Sequence, residues 1–147
     1  MKRIALLSVL FVLVADGFAV DFGSGVEAIT KAGTAYTRIS DVRYTEGEGP
    51  QLLDLYLPGK PADELRPAVL LIHGGGWAIG DKADARERQF AELMMDEGYV
   101  AISINYTMTA YDGAVWKSKR LKGAWPQNIH DCKNALAWMV KNADELG

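Results

Sequence analysis

The sequence predicts an α/β fold, an antiparallel strand pair followed by a parallel strand-helix-strand-helix unit. Two observations carry the class. Ala68-Val69-Leu70-Leu71-Ile72 is a continuous apolar run, the pattern of a strand buried on both faces, and Tyr99 to Asn105, rich in Val and Ile, reads as a second buried strand. Between them, Asp84 to Glu97 sets Phe90, Leu93 and Met94 three and four apart, a helical spacing, and Gly98 is a good helix stop. Strand, helix, strand in that order implies a right-handed parallel crossover.

The elements follow in order. Lys2 and Arg3 precede an apolar stretch from Ile4 to Ala15, and Gly17-Phe18-Ala19 sets small residues at the −3 and −1 positions of a cleavage after Ala19. Residues 1–19 therefore read as a signal peptide, with a secreted or periplasmic product. The stretch, closed by Asp16, is shorter than the roughly 20 residues of a membrane span, so no stable membrane anchor is expected after cleavage. Residues 20–34 are Gly-rich and weakly patterned, and a loose mature N-terminus is expected there. Residues 35–147 are expected to form one domain, which the resemblance described below implies is partial. Tyr36 to Tyr44 and Leu52 to Leu57 are β-prone segments joined by the turn Thr45-Glu46-Gly47-Glu48-Gly49-Pro50, an antiparallel pair. Thr107 to Ala124 is a polar and aromatic insertion, a lid loop or a solvated excursion. From Pro126 a second helix is expected, with Ile129, Cys132, Ala135, Leu136, Met139 and Val140 on one stripe and a stop at Gly147.

Composition narrows the function. With 49% hydrophobic and 24% charged residues among 147, the chain is globular rather than disordered or collagenous, and a net charge of −3 argues against a nucleic-acid surface. The single Cys132 forms no internal disulfide, and with His73 and His130 it cannot complete a four-ligand zinc site of Cys and His. No metal and no cofactor is expected. Cys132 reads as a small core residue and His130 as a helix-face residue.

One motif carries chemistry. His73-Gly74-Gly75-Gly76-Trp77-Ala78-Ile79-Gly80-Asp81-Lys82 follows the buried strand directly, and three glycines let backbone N–H groups turn toward an anion. The dinucleotide fingerprint fails because Ile79 holds the place of its third Gly, and the P-loop fails because Asp81 separates Gly80 from Lys82.

The string resembles the HGGG-type oxyanion loop of α/β-hydrolase esterases, in the hormone-sensitive-lipase-like and bacterial feruloyl- and carbohydrate-esterase branch. The resemblance runs from about Arg43 to Gly147. Leu53-Asp54-Leu55-Tyr56-Leu57-Pro58 is similar to the family's second strand, Ser103-Ile104-Asn105-Tyr106 to its fourth, and Trp125-Pro126-Gln127-Asn128-Ile129-His130-Asp131 to the start of its next helix. It implies a serine carboxylic-ester hydrolase acting on a small ester or an acylated carbohydrate, acetyl or feruloyl. Gly75 and Gly76 would supply the oxyanion hole, supported by His73, Gly74, Trp77 and Asp81. Trp77 either walls the pocket or packs beneath the loop.

The family's Gly-x-Ser-x-Gly elbow is missing: none of Ser8, Ser24, Ser40, Ser103 and Ser118 has Gly at both −2 and +2. The expectation is an N-terminal half truncated before the nucleophile, with no catalytic residue of its own and inactive alone. In the resembled sheet the third strand, Ala68 to Ile72, then lacks one neighbour and presents an apolar edge. Thr107 stands where the family often has an Arg able to meet the helix acid, so Asp131 is expected to lack that arginine partner. The alternative is a short non-catalytic binding module, in which Trp77, Trp116, Trp125 and Trp138 could stack sugars.

Overall fold

The computed structural model describes residues 25–31, 34–59, 64–109 and 123–146. The expected leader over residues 1–19, most of the 107–124 insertion including Trp116, and Gly147 lie outside the described residues. Five strands, β1 (Gly25–Lys31), β2 (Thr34–Arg43), β3 (Leu52–Pro58), β4 (Ala68–Ile72) and β5 (Val100–Ile104), are joined by α1 (Ala85–Asp96) and followed by α2 (Gln127–Lys141) and the short α3 (Ala143–Leu146). One mixed sheet runs in the order β1-β2-β3-β5-β4. The expected antiparallel pair is β2–β3, and the expected parallel crossover is β4-α1-β5.

Alternation along the strands divides the core. Leu53, Leu55, Val100, Ile102 and Ile104 join Ala135 of α2 on one face, while Tyr56 and Ala101 join Ala91 and Met95 of α1 on the other. Each such large apolar side chain contributes about 1.5–3 kcal/mol by leaving water. Asp54 and Ser103 alternate onto the α1 face and are fully buried, which requires polar partners there.

Four expectations need correction. The segment over residues 20–34 contains β1, which pairs antiparallel with β2 in register from Gly25↔Ser40 to Lys31↔Thr34. Backbone pairing holds this strand while Val26 stays 62% exposed, so no alternating pattern marks it. Helix α1 lies where expected, but its buried row is Glu87, Ala91 and Met95; Phe90 and Leu93 face outward. Small Ala91 lets the helix approach the sheet, and its wider apolar neighbours lie to the side. In α2 the expected stripe splits: Ala135 is buried and Cys132 and Met139 pack on the core, whereas Ile129, Leu136 and Val140 are exposed along one row. The helix also closes at Lys141 with Asn142 as its cap, ahead of Gly147. Finally, β4 is not buried on both faces: among the described residues it pairs only with β5, which makes it the apolar edge expected above, with Ile72 half exposed.

Candidate functional site

The glycine loop leaves β4 at His73 and turns on four residues in the left-handed region: Gly75 (φ 119°), Gly76 (62°), Trp77 (60°) and Gly80 (108°). A Cβ on Gly75 would lie 1.9 Å from the Ile79 carbonyl oxygen, and one on Gly80 would lie 2.5 Å from both the Gly74 oxygen and His73 Nδ1. The arch is that tight because Ala78 and Ile79 both donate their N–H to the Gly75 oxygen. Among the described residues, neither the Gly75 N–H nor the Gly76 N–H donates a hydrogen bond. The loop thus holds two unengaged donors in a fixed turn. Gly74 lies beneath the Arg86 guanidinium, itself paired with Glu87.

The end of β5 and the two residues after it fix both ends of the loop. The Tyr106 hydroxyl donates to the His73 carbonyl oxygen at 2.8 Å, and its ring stacks on the His73 imidazole. Asn105 accepts the Lys82 N–H at 2.7 Å and donates to Asp81 at 2.8 Å, and Ser103 Oγ donates to the Lys82 carbonyl oxygen. Asp81 also accepts the Ala83 N–H. Burial alone would raise the Asp81 pKa, but the bonds from Asn105 and Ala83, with nearby Lys82, hold it below the usual carboxylate range. His73 is buried, with Nδ1 at 2.8 Å from the Gly74 oxygen; a carbonyl accepts, so Nδ1 carries the proton. Trp77 is 46% exposed.

A chain of charge centred on the buried Asp54 lies behind the loop. Lys82 Nζ reaches Asp54 at 2.6 Å and Asp41 at 2.8 Å, and Arg38 reaches the other Asp54 oxygen at 2.6 Å. Burial of the Asp54 carboxylate demands such cations, whereas Asp41 meets Lys82 from a largely exposed position. Desolvation pulls the Lys82 pKa down, yet the two carboxylates raise it above its ordinary value. Asp41 gets there through a β-bulge: the register shifts between Ile39 and Val42, so Ser40 and Asp41 together oppose Asp54, and Asp41 takes φ 60°.

His73, Gly74, Gly75, Gly76, Trp77 and Asp81 lie in the one loop that follows β4. Lys82 and Asp41 carried no assigned role in the sequence pattern, although a charged Asp54 within Leu52-Leu53-Asp54-Leu55-Tyr56-Leu57 already demanded a buried partner. Three donors other than an arginine meet Asp131. Asp131 is fully buried and accepts from the Thr107 N–H at 2.7 Å, Gln127 Nε2 at 2.9 Å and Gln51 Nε2 at 3.2 Å, because a backbone N–H and two amides do what a guanidinium would. Among the described residues no three His, Cys, Asp or Glu side chains gather as metal ligands would, and no described helix is long and apolar enough to cross a membrane.

The BD-FAE family model matches residues 53–147, which includes β3, the glycine loop, β5 and α2. The chain belongs to the BD-FAE family. This BD-FAE chain is 31% identical over 110 residues to Esterase LipC of Mycobacterium tuberculosis, covering 71% of itself and 23% of LipC. It is 36% identical over 104 residues to a non-reducing polyketide synthase of Aspergillus calidoustus, covering 69% of itself and 4% of that protein. Among solved structures it superposes on Esterase B of Lactobacillus rhamnosis with a TM-score of 0.57 at 25% identity, over 76% of this chain and 32% of that one. A truncated carbohydrate esterase from gut microbiota shares the fold at a TM-score of 0.57 and 21% identity, over 74% of this chain and 34% of that one. The BD-FAE chain therefore spans about a third of these structural neighbours, and what it holds is the N-terminal part of an α/β-hydrolase esterase fold.

Proposed function

We propose that this chain contributes the oxyanion-binding part of an exported serine carboxylic-ester hydrolase whose substrates are small esters or acylated carbohydrates, acetyl and feruloyl esters foremost. The observation that carries the reading is the pair of unengaged N–H groups at Gly75 and Gly76 on a loop fixed at both ends. When a serine Oγ attacks an ester carbonyl, negative charge collects on the former carbonyl oxygen, and each donor already in place stabilises it by about 3 to 4 kcal/mol. Because the loop is rigid beforehand, little reorganisation opposes that gain. His73 supports the loop from below rather than acting as the general base, since its Nδ1 is committed to Gly74 and the ring is buried. Half-exposed Trp77 walls the acyl pocket. Ester chemistry is supported by the esterase relatives, and the acylated-carbohydrate class rests on the motif blocks in the sequence.

The nucleophile, acid and base are supplied from outside these residues, and the 147 residues alone do not turn over esters. Reading the DNA beyond the Gly147 codon tests this. A frame that continues into a strand and Gly-x-Ser-x-Gly, with Asp and then His further on, is the expected result. A stop codon in intact DNA overturns it in favour of a binding module. Hydrolysis of p-nitrophenyl acetate by the purified chain would equally count against it.

A further inference from the structure

We propose that Lys82 is a positioning residue: its ammonium, held between Asp41 and Asp54, sets the glycine loop in the conformation that presents the Gly75 and Gly76 N–H groups. The inference rests on the oxyanion reading above and names the residue that makes that loop rigid.

Three observations converge on it. Every polar group of Lys82 is engaged: its N–H by Asn105, its carbonyl by Ser103 and its Nζ by both carboxylates. A residue fixed at its backbone and at the tip of its side chain cannot rotate, and Gly80, two residues earlier, closes the arch against His73 and Gly74. The second observation is the bulge. Asp41 is a non-glycine residue in the left-handed region, a conformation that costs free energy, and its carboxylate meets Lys82 from there. The third is placement. The ammonium lies on the α1 face of the sheet with the buried Asp54, at 5% exposure for the whole residue, so it orders protein rather than meeting a substrate.

The test uses the full chain, labelled with nitrogen-15, and compares amide hydrogen exchange in wild type, Lys82→Met, Lys82→Arg and Asp41→Asn. Ala78 and Ile79, whose N–H groups bond to Gly75, report the loop; Ile102 and Ala135 report the core. In Lys82→Met, exchange at Ala78 and Ile79 should rise about tenfold with the core amides unchanged, and Lys82→Arg should restore wild-type rates. Asp41 is largely exposed, so Asp41→Asn folds even if Lys82→Met does not, and it should give a smaller rise confined to the loop. Unchanged loop exchange in a folded variant, or a rise shared equally by the core, overturns the proposal.

A titration with diethyl phosphate, a singly charged tetrahedral anion, separates this inference from the one beneath it. Shifts of the Gly75 and Gly76 resonances in wild type, lost in Lys82→Met and kept in Lys82→Arg, support both. Equal binding by wild type and Lys82→Met overturns the role of Lys82. No shift in wild type counts against the oxyanion reading, and loop exchange then decides the position of Lys82 by itself.

Discussion

The Tyr106 and His73 rings stack with their centroids 4.5 Å apart and their planes 20° apart, and the hydroxyl of the same tyrosine bonds to the carbonyl of the same histidine. One side chain two residues beyond β5 thereby holds both the ring and the backbone of the residue that leads into the glycine loop. The two contacts can be separated. Tyr106→Phe keeps the stack and leaves the His73 carbonyl without its donor, and should cost about 1–1.5 kcal/mol in urea unfolding. Tyr106→Ala removes both and opens a cavity, at about 3–5 kcal/mol.

The glycines of the loop should differ sharply under substitution. Gly75→Ala and Gly80→Ala force a Cβ to 1.9 Å and 2.5 Å from backbone oxygen at positive φ, so each should cost about 3 kcal/mol or more, read from the denaturation midpoint. Gly47→Ala, at φ 90° with open space around it, should cost only about 1 kcal/mol. Gly74→Ala meets only the end of the mobile Arg86 side chain and should be milder than Gly75→Ala.

Acid should unfold the protein partly through Asp131. Burial alone would raise its pKa, but bonds from Gln127, Thr107 and Gln51 hold it below the ordinary 3.8. A folded-state pKa below the unfolded one means the contribution is complete above the unfolded value and is lost as pH falls through the folded one. The stability of Asp131→Asn, followed by urea midpoints from neutral pH down to about pH 2, should therefore fall less steeply below about pH 4 than wild type.

Cys132 should react slowly with thiol reagents. Burial, with Asp131 nearby, raises its pKa, so little thiolate is present at neutral pH. Modification by a chromogenic disulfide at pH 7.5 should rise by at least about tenfold on unfolding in urea.

The sheet edge should make the isolated chain self-associate. Strand β4 carries Ala68-Val69-Leu70-Leu71-Ile72 with no charge or proline to block pairing, and exposed Phe90 and Leu93 on α1 and Leu136 and Val140 on α2 add apolar surface. Light scattering should show a mass that grows with concentration. Ile72→Lys, at a half-exposed position, should lower it without loss of helical signal by circular dichroism.

Much of this architecture was legible in the chain because continuous apolar runs and Gly98 mark β4, α1 and β5 one after another. The outward row of α1 was not, since helical spacing shows that Phe90 and Leu93 share a side but not which side meets the sheet. The partners of Asp131 were hidden for a different reason: one donor is the Thr107 N–H, which any residue but proline would offer at that place. The pairing of Lys82 with Asp41 needed a one-residue bulge in a strand far away in the sequence, and no local pattern announces a register shift. The glycine loop was legible as a motif, whereas its rigidity comes from contacts that only the tertiary fold creates.

Those contacts also set an order of events during synthesis. His73 leaves the ribosome 33 residues before Tyr106, the side chain that holds it. Ser103 and Asn105, which hold the far end, emerge only just ahead of Tyr106. Until β5 is out and docked beside β4, the glycine arch has only its internal turn to shape it, and turns of that length are marginal by themselves. The nascent chain therefore passes through an interval in which the hydrophobic β4 is exposed and the loop is still pliable, and a chaperone that recognises short extended apolar segments would find its target in that interval.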